Sequence, residues 1–466
     1  MEIKIGNEIT ISQPTPEILA WCKQNLVIDN PDYAKKERMG LWVGNTPRTL
    51  SLYKRNGEAV ILPVGAFRHI MGILDRAESK VAYTQDLAGN KPIDYNASIN
   101  LFDYQEEALQ AMIKAKYGIL QSPAGSGKTQ IGIALAVALG KKCLWLTHTQ
   151  DLLKQSYDRA KQYIDESLLG TITAGKVNIG AGITFATVQT LCKQDLTQYK
   201  YEWDVVIVDE CHRVAGTPTS MTQFSKVISN LACPHKYGLS ATVHRADGMI
   251  KCCYMLLGEV RHIVPDEAVK SRCMQVKVER VDTFTKIPFG ALDTDGTINY
   301  TKLISSLASN NLRNDEILYR IADEPDHYHL ILSDRLEQLY NLYNNLPEKL
   351  KALASVIDGK MTSKKGKAER EQAIEDMRAG KKHILFASYK LAKEGLDIPR
   401  LDRLHLATPQ KDYAVIVQSV GRIARVFEGK GQPICYDYVD DFKMAVNMYR
   451  KRCSHYKKVG AQYKRI

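Results

Sequence analysis

Hydrophobic positions follow two different rhythms along this chain. In residues 2–11 and 48–65, apolar and polar residues alternate over short stretches separated by turn residues, and Asn56-Gly57 stands between two apolar runs, as in a β-hairpin. From Leu101 onward, continuous apolar runs alternate with amphipathic or apolar helical patterns. The first rhythm predicts a small α+β domain, and the second predicts parallel sheets covered by helices on both faces.

The second rhythm occurs twice, and a less regular stretch from Pro265 to Asn299 separates its two occurrences. The buried runs predict strands at 118–121, 143–147, 183–187, 205–209 and 237–241, and then at 329–333, 353–358, 383–388, 401–407 and 434–439. We therefore expect two α/β domains in tandem with a cleft between them. The expected divisions are an N-terminal α+β domain at 1–98, α/β domains at 99–268 and 301–445, a linker at 269–300 and a basic tail at 446–466.

Composition adds a polyanion partner to this picture. The 466 residues are 44% hydrophobic and 25% charged, as in ordinary globular proteins, but the net charge is +12. Two-thirds of that excess lies in residues 443–466, which carry eight cations and no carboxylate. No secretory signal is visible, the apolar stretch at Ile131–Leu139 is too short to span a bilayer, and the ten cysteines are scattered. We expect a cytoplasmic protein with reduced thiols and no membrane partner.

The sequence Ser122-Pro-Ala-Gly-Ser-Gly-Lys-Thr129 is the strongest single motif. It follows a predicted strand and opens an apolar helix, so its backbone amides and the helix N-terminus can face phosphate oxygens. Lys128 can reach the β- and γ-phosphates, and the Thr129 hydroxyl can bind Mg²⁺. Ser122 stands where the usual pattern has its first glycine. We expect ATP and Mg²⁺ as cofactors in domain 99–268, with further nucleotide contacts from Pro123, Ala124, Gly125, Ser126 and Gly127.

Two carboxylates follow the predicted strand Asp204-Val-Val-Ile-Val-Asp209-Glu210, about 80 residues later. A buried parallel strand delivers them to the carboxyl edge of its sheet, where ligands of open α/β sheets bind. Asp209 suits Mg²⁺ binding, and Glu210 suits orienting and deprotonating the attacking water. Taken alone the pair could be an ordinary polar strand end, and together with the phosphate loop it also fits a small-molecule kinase.

Further motifs carry a resemblance to a known family. Asp209-Glu210-Cys211-His212, Ser240-Ala241-Thr242, the segment 394–399 (Glu-Gly-Leu-Asp-Ile-Pro) and the segment 418–425 (Gln-Ser-Val-Gly-Arg-Ile-Ala-Arg) occur in this order. In that order and spacing they resemble the motor motifs of superfamily 2 DExH-box helicases. Segments 241–248 and 394–399 are similar to the UvsW and XPB-like branch, although Val243 replaces the usual proline. The resemblance covers about residues 100–445 and implies two RecA-like motor domains.

The resemblance also implies roles for individual residues. Gln105 would read the edge of adenine, and Gly395 and Asp397 would sense the nucleotide. Arg422 and Arg425 would be arginine fingers, with Gln418 on the same helix face. Nucleic-acid contacts would come from Thr147, His148, Thr187, Ser240, Thr242, Arg245 and Ser388. Each of the hydroxyls among them could instead cap a helix or end a strand.

These roles predict an ATP-dependent DNA helicase or translocase. The resemblance implies action on branched DNA (forks, junctions, R-loops) in replication, recombination or repair, with one single strand as the track. The N-terminal domain either recognises duplex or junction DNA or braces the first motor domain. Alternatives are an RNA helicase, a translocase that does not separate strands, and an inactive DNA-binding scaffold. We expect a monomer in the cytoplasm, that of a bacterium or of the bacterial host of a phage, and the sequence does not indicate which proteins it binds.

The basic tail contains Tyr449, Tyr456 and Tyr463 at intervals of seven residues. On a helix this spacing makes one stripe, which predicts packing on a domain with a basic face outward. Direct contact with nucleic acid is compatible with that arrangement. We also expect the tail to be a separable part of the protein.

Overall fold

The computed structural model describes the chain apart from residues 78–80, 124, 215, 218–219, 244–247, 271–272, 294–295, 360, 362, 394–395 and 465–466. It contains two compact units, Met1–Val264 and Pro265–Ile466. In the described part of the chain, no helix is long and apolar enough to cross a membrane. The division falls close to the expected end of a domain at residue 268, and the other expected domain bounds remain predictions.

The first unit begins with a five-stranded sheet of order β5-β6-β2-β1-β7, in which only the β1–β7 pair is parallel. The hairpin predicted at Asn56-Gly57 is confirmed, and Gly57 has the positive φ of 57° that the turn requires. The strands of this sheet are β1 (Glu2–Ile5), β2 (Ile9–Ser12), β5 (Lys54–Asn56), β6 (Ala59–Leu62) and β7 (Ala82–Gln85). A separate antiparallel pair is formed by β3 (Val27–Asp29) and β4 (Thr49–Ser51), and the helices are α1 (Pro16–Asn25), α2 (Pro31–Arg38) and α3 (Phe67–Arg76).

An eight-stranded sheet of order β11-β10-β12-β9-β13-β16-β8-β17 forms the rest of this unit, and every pair except β10–β11 is parallel. Its strands are β8 (Tyr117–Gln121), β9 (Cys143–Thr147), β10 (Leu169–Thr173), β11 (Lys176–Asn178), β12 (Ile183–Thr187), β13 (Val205–Asp209), β16 (His235–Ser240) and β17 (Val260–Ile263), with a separate short pair β14 (Gly216–Thr217) and β15 (Ser220–Met221). The helices are α4 (Asp103–Ala115), α5 (Lys128–Leu139), α6 (Gln150–Ala160), α7 (Val188–Leu191), α8 (Gln223–Asn230) and α9 (Ile250–Leu257).

The N-terminal sheet shares a hydrophobic core with helix α9 of the first unit. Met249, Cys252 and Met255, in or next to α9, pack in one cluster with apolar residues of the N-terminal sheet such as Ile9 and Val60. A Cβ on Gly65 would lie 2.2 Å from the carbonyl oxygen of Tyr254, so the N-terminal segment meets the α9 backbone directly. This packing supports a bracing role for the N-terminal region.

The second unit contains a seven-stranded, wholly parallel sheet of order β20-β21-β19-β22-β23-β18-β24. Its strands are β18 (Lys277–Asp282), β19 (His329–Ser333), β20 (Ala354–Ile357), β21 (Ile384–Ser388), β22 (Arg403–Leu406), β23 (Ile434–Val439) and β24 (Gln462–Tyr463). The helices are α10 (Asp266–Lys270), α11 (Tyr300–Ala308), α12 (Asn311–Asp323), α13 (Leu336–Asn344), α14 (Glu348–Lys351), α15 (Lys364–Arg378), α16 (Tyr389–Lys393), α17 (Tyr413–Ile423) and α18 (Lys443–Lys458). The predicted α/β fold with two parallel sheets is confirmed.

The segment expected to be a linker contains a strand. β18 pairs in register with β23 from Lys277 to Asp282, yet within it only Val278 and Val281 are buried. Four of its six residues are charged, so it lacks the continuous apolar run by which the neighbouring strands were recognised.

The predicted packing of the tail's tyrosine stripe is confirmed. Tyr449 and Tyr456 of α18 are fully buried in the core of the second unit, and Tyr463 lies on β24 at the sheet edge. The expectation that the tail is separable is wrong, because its side chains complete this core.

Candidate functional site

The phosphate loop connects β8 to α5 and is held by its own hydroxyl groups. The Ser126 hydroxyl donates to the Pro123 carbonyl oxygen (2.7 Å) and accepts from the Ser122 hydroxyl (2.5 Å). Gly125 and Gly127 have φ angles of 84° and 78°, which favour glycine. Ser122, at the position of the usual glycine, is therefore a structural part of the loop.

Gly127 precedes α5, and no side chain caps the amide groups of the first turn of that helix. Lys128 and Thr129 begin the helix, and both are partly accessible. An uncapped helix N-terminus with a lysine in its first turn is a favourable place for phosphate oxygens. The loop thus fits the phosphates of a nucleoside triphosphate. Ala124 lies outside the described residues.

Gln105 fastens the phosphate loop to α4. Its Oε1 accepts from the backbone amide of Phe102 (3.0 Å), and its Nε2 donates to the carbonyl oxygen of Ser126 (2.8 Å). The hydroxyl of Tyr104, adjacent in sequence, donates to the same carbonyl oxygen (3.1 Å). Gln105 therefore positions the loop, and its expected role in reading adenine stays a prediction.

The two candidate carboxylates lie at the carboxyl end of β13, whose five residues are all buried. Glu210 adopts a left-handed conformation (φ 50°), and its backbone amide donates to Oδ1 of Asp209 (2.9 Å). Burial and the neighbouring Glu210 raise the pKa of Asp209, against the opposing charge of Lys128. Burial acts in the same direction on Glu210, but His212 and the Lys128 charge outweigh it and lower its pKa. The two neighbouring carboxyl groups can thus differ in protonation state.

A chain of polar contacts links Glu210 to the end of β16. Nδ1 of His212 lies 3.3 Å from Oε2 of Glu210 and 2.9 Å from the hydroxyl oxygen of Ser240. That hydroxyl donates to the carbonyl oxygen of Thr242 (2.8 Å) and accepts from its amide (3.3 Å). Because the Ser240 hydrogen goes to Thr242, the His212 ring is the donor to Ser240. The sequence motifs contained His212, but its bridging role depends on this tertiary contact.

The residues expected to bind nucleic acid from the first unit lie mainly at one sheet edge. Thr147, Thr187 and Ser240 end β9, β12 and β16, and all three are buried. The Thr147 hydroxyl donates to the Thr149 carbonyl oxygen (3.1 Å), and that of Thr187 donates to the Thr190 hydroxyl (3.0 Å). These are the local bonds expected of strand-end hydroxyls. The carbonyl of His148 accepts from Gln189 (2.8 Å), and Arg245 lies outside the described residues. Contact with nucleic acid stays a prediction for all of them.

In the second unit, Gln418 and Arg422 lie four residues apart on α17, and Arg425 follows the helix. Arg425 forms an ion pair with Asp397, whose backbone carbonyl accepts from Nε of Arg378 (2.7 Å). The structure thus joins two residues that the resemblance assigned to nucleotide chemistry. Ser388 ends β21, where its hydroxyl oxygen accepts from the Leu391 amide (3.3 Å), and Gly395 lies outside the described residues.

Two family models match the chain. Residues 98–245 match the type III restriction enzyme res subunit, and residues 313–427 match the helicase conserved C-terminal domain. The first match contains the phosphate loop and both carboxylates, and the second contains Arg422 and Arg425. In the described part of the chain, no group of three or more His, Cys, Asp or Glu side chains could hold a metal ion.

Several curated proteins are similar to this chain. A putative ATP-dependent RNA helicase of Acanthamoeba polyphaga mimivirus is 29% identical over 352 residues, which are 72% of this chain and 62% of that protein. The DNA 3'-5' translocase XPB2 of Sulfurisphaera tokodaii is 30% identical over 162 residues, which are 35% of each chain. The chain thus spans less than two-thirds of the length of these relatives.

Two solved structures align with this chain, and the first of them shares its fold. Dbp5 of S. cerevisiae, bound to RNA and ADP BeF3, aligns over 78% of this chain and 89% of its own at 16% identity, with a TM-score of 0.55. The structure of T4 UvsW aligns over 100% of this chain and 99% of its own at 18% identity, with a TM-score of 0.43.

Proposed function

Because this chain belongs to superfamily 2 of the helicases, we propose that it is a nucleic-acid-dependent ATPase that moves along DNA. The observation that supports this most strongly is the convergence of three motifs at one sheet edge. The phosphate loop follows β8, the carboxylates follow β13, and Ser240 ends β16, which lies between those two strands.

Each part has a separate task in the proposed reaction. Lys128 and the loop amides would bind the phosphates of ATP, while Thr129 and Asp209 would hold Mg²⁺. When bound, ATP would supply the γ-phosphoryl group that is transferred to water. Glu210, whose lowered pKa keeps it ionised, orients the attacking water and accepts its proton. Arg422 and Arg425 stabilise the charge of the transferred phosphoryl group, and Arg425 must then exchange its ion pair with Asp397.

The contact between His212 and Ser240 supports coupling between hydrolysis and movement. A shift of Glu210 on hydrolysis would be passed through His212 to Ser240 and Thr242, at the edge where the nucleic-acid contacts are expected. We propose that, through this link, ATP hydrolysis changes the contacts between the protein and the phosphates of one strand.

DNA is the proposed substrate, in the form of a single-stranded track next to branched duplex. The DNA translocase named among the relatives supports this choice. An RNA helicase is the second candidate, since another relative carries that name.

The decisive experiment is an ATP hydrolysis assay with matched DNA and RNA oligonucleotides. We expect stimulation in the parent protein and its loss in Lys128→Ala and Glu210→Gln, with a larger stimulation by DNA. Strand separation is then measured on tailed duplexes of both polarities, forks, four-way junctions and R-loops. A parent without stimulated hydrolysis, or variants equal to it, would contradict the proposed motor.

A further inference from the structure

Helix α18 buries one side and exposes the other. Its inner side comprises Ala445, Met448, Tyr449, Arg452, His455 and Tyr456, all buried. The exposed residues recur every three or four positions through four turns, and they include Lys443, Arg450, Lys451, Lys457 and Lys458. We call these five cations the basic face of α18. Of the helix's six lysine and arginine side chains, only Arg452 points inward, where it pairs with Asp437.

The carboxylates that the structure describes do not neutralise the basic face. Within the part of the chain that the structure describes, none of its five cations takes part in an ion pair, whereas Lys277, Arg280 and Lys302 of the same unit are each paired. Two acidic residues lie near the helix but are engaged elsewhere. Asp441 pairs with Lys286, and Asp412 accepts from the amide of Val415 to cap α17. Unneutralised cations on one surface repel each other, and a polyanion relieves that repulsion.

The dimensions of the face suit a nucleic-acid backbone. From Lys443 to Lys458 the helix rises about 22 Å at 1.5 Å per residue. Along one strand of a duplex, phosphate charges recur about every 3.4 Å of axis, so this length faces about six of them. Asn447 lies exposed on the same side of α18, and its amide can also donate a hydrogen bond to a phosphate oxygen. The Ser454 hydroxyl donates instead to the Lys451 carbonyl oxygen (2.7 Å).

A lipid surface fits less well. A helix that lies on a membrane inserts its apolar side among the acyl chains, but the apolar side of α18 is already in the core of the second unit. We propose, on the premise of the proposed function, that the basic face of α18 binds the phosphate backbone of the nucleic-acid substrate without reading its sequence.

The test compares two full-length triple variants that remove the same charge. The first, Arg450→Gln/Lys451→Gln/Lys457→Gln, changes the basic face, and the second, Lys349→Gln/Lys365→Gln/Lys381→Gln, changes exposed lysines elsewhere in the same unit. Fluorescence anisotropy gives the Kd for a labelled 20-bp DNA duplex and its RNA equivalent between 50 and 200 mM NaCl, without ATP. We expect the slope of log Kd against log salt to fall by about 2–3 in the first variant, at about 0.9 per lost phosphate contact.

The control triple should keep the parent slope, and so should Arg450→Lys/Lys451→Arg/Lys457→Arg, which conserves charge. An unchanged slope in the first variant, an equal fall in both glutamine triples, or no binding by the parent would overturn the inference. Binding to vesicles containing 30% phosphatidylserine is measured alongside. The inference would also be overturned if the first variant lost binding to these vesicles but kept the parent's binding to nucleic acid. Because this assay contains no ATP, its result is independent of the hydrolysis assay that tests the proposed function, and either can fail alone.

Discussion

Replacing Arg452 by methionine tests what holds α18 in the second unit. Nε and one terminal nitrogen of its guanidinium donate to the two oxygens of Asp437, at 2.8 and 2.6 Å. The hydroxyl of Tyr456 donates to the same carboxylate (2.6 Å), and the other terminal nitrogen donates to the Gln410 carbonyl oxygen (2.8 Å). Both charged side chains are almost wholly buried, with 2% and 1% exposed.

Methionine keeps an unbranched apolar side chain but removes the guanidinium, so Asp437 keeps only the Tyr456 hydroxyl among the donors that contact it in the described structure. Removing one partner of a buried ion pair destabilises a protein by about 3–5 kcal/mol, because the remaining charge stays out of water. With a urea dependence of about 2 kcal/mol per M, the unfolding midpoint of the second unit should fall by about 2 M.

The two units can be followed separately in the full chain. All four tryptophans (Trp21, Trp42, Trp145 and Trp203) lie in the first unit, so their fluorescence monitors that unit, while circular dichroism at 222 nm monitors both. Arg452→Met should therefore move the dichroism transition and leave the fluorescence transition in place.

Lys451→Met is the matched control, because it makes the same kind of change at the adjacent, exposed position. It should leave both transitions unchanged. Arg452→Met/Asp437→Leu should recover most of the loss, since it removes the stranded charge. If the double variant is as unstable as the single one, or if Arg452→Met behaves like Lys451→Met, the ion pair does not hold the helix.

Other features lead to further predictions. Gln105→Glu places a carboxylate oxygen opposite the Ser126 carbonyl, so a buried hydrogen bond worth about 1–3 kcal/mol is lost. Binding of a fluorescent ATP analogue should weaken ten- to a hundredfold, and an affinity equal to the parent's would contradict the positioning role. Gly132→Ala would bring a Cβ within 2.6 Å of the Trp145 ring, so the free energy of unfolding of the first unit, followed by tryptophan fluorescence, should fall by about 1–3 kcal/mol. A shift only in the second unit's transition would argue against this. Burial lowers the pKa of His329 from its ordinary 6.5 to about 4. As the pH falls from 6.5 to 4, the unfolded chain therefore binds a proton that the folded unit does not, and the free energy of unfolding of the second unit should fall by about 3 kcal/mol. Urea midpoints at pH 7.5, 6, 5 and 4 measure this loss, and His329→Asn should flatten the dependence.

Continuous apolar runs allowed most of the sheet strands to be predicted from the sequence. The strands at Val205–Asp209 and His329–Ser333 have the predicted bounds, because both faces of a parallel sheet are covered and nearly every position is apolar. Strands with polar positions were not recognised. β17 carries Arg261 and His262 at the edge of its sheet, and β18 is mostly charged.

One part of the candidate site could likewise be predicted from the sequence, and another part could not. The placement of Asp209 and Glu210 at a strand end, and of Lys128 at a helix start, follows from local motifs, so the sequence was sufficient. The contacts of Gln105 with Ser126, and of His212 with Ser240, join residues 21 and 28 positions apart, and they depend on how α4 and β16 pack. Arg452 looked like any other cation of the tail, since its partner Asp437 lies on a different element.

The position of β24 has a consequence for synthesis. This strand pairs with β18 at the edge of the second sheet, and α18 just before it supplies two tyrosines of the core. The first unit has all its strands once residue 263 has been made. The second unit cannot close its core until residues 443–463 have left the ribosome, so its nascent strands wait with their apolar faces uncovered. We expect the first unit to fold while the chain grows and the second to fold late, in a single step.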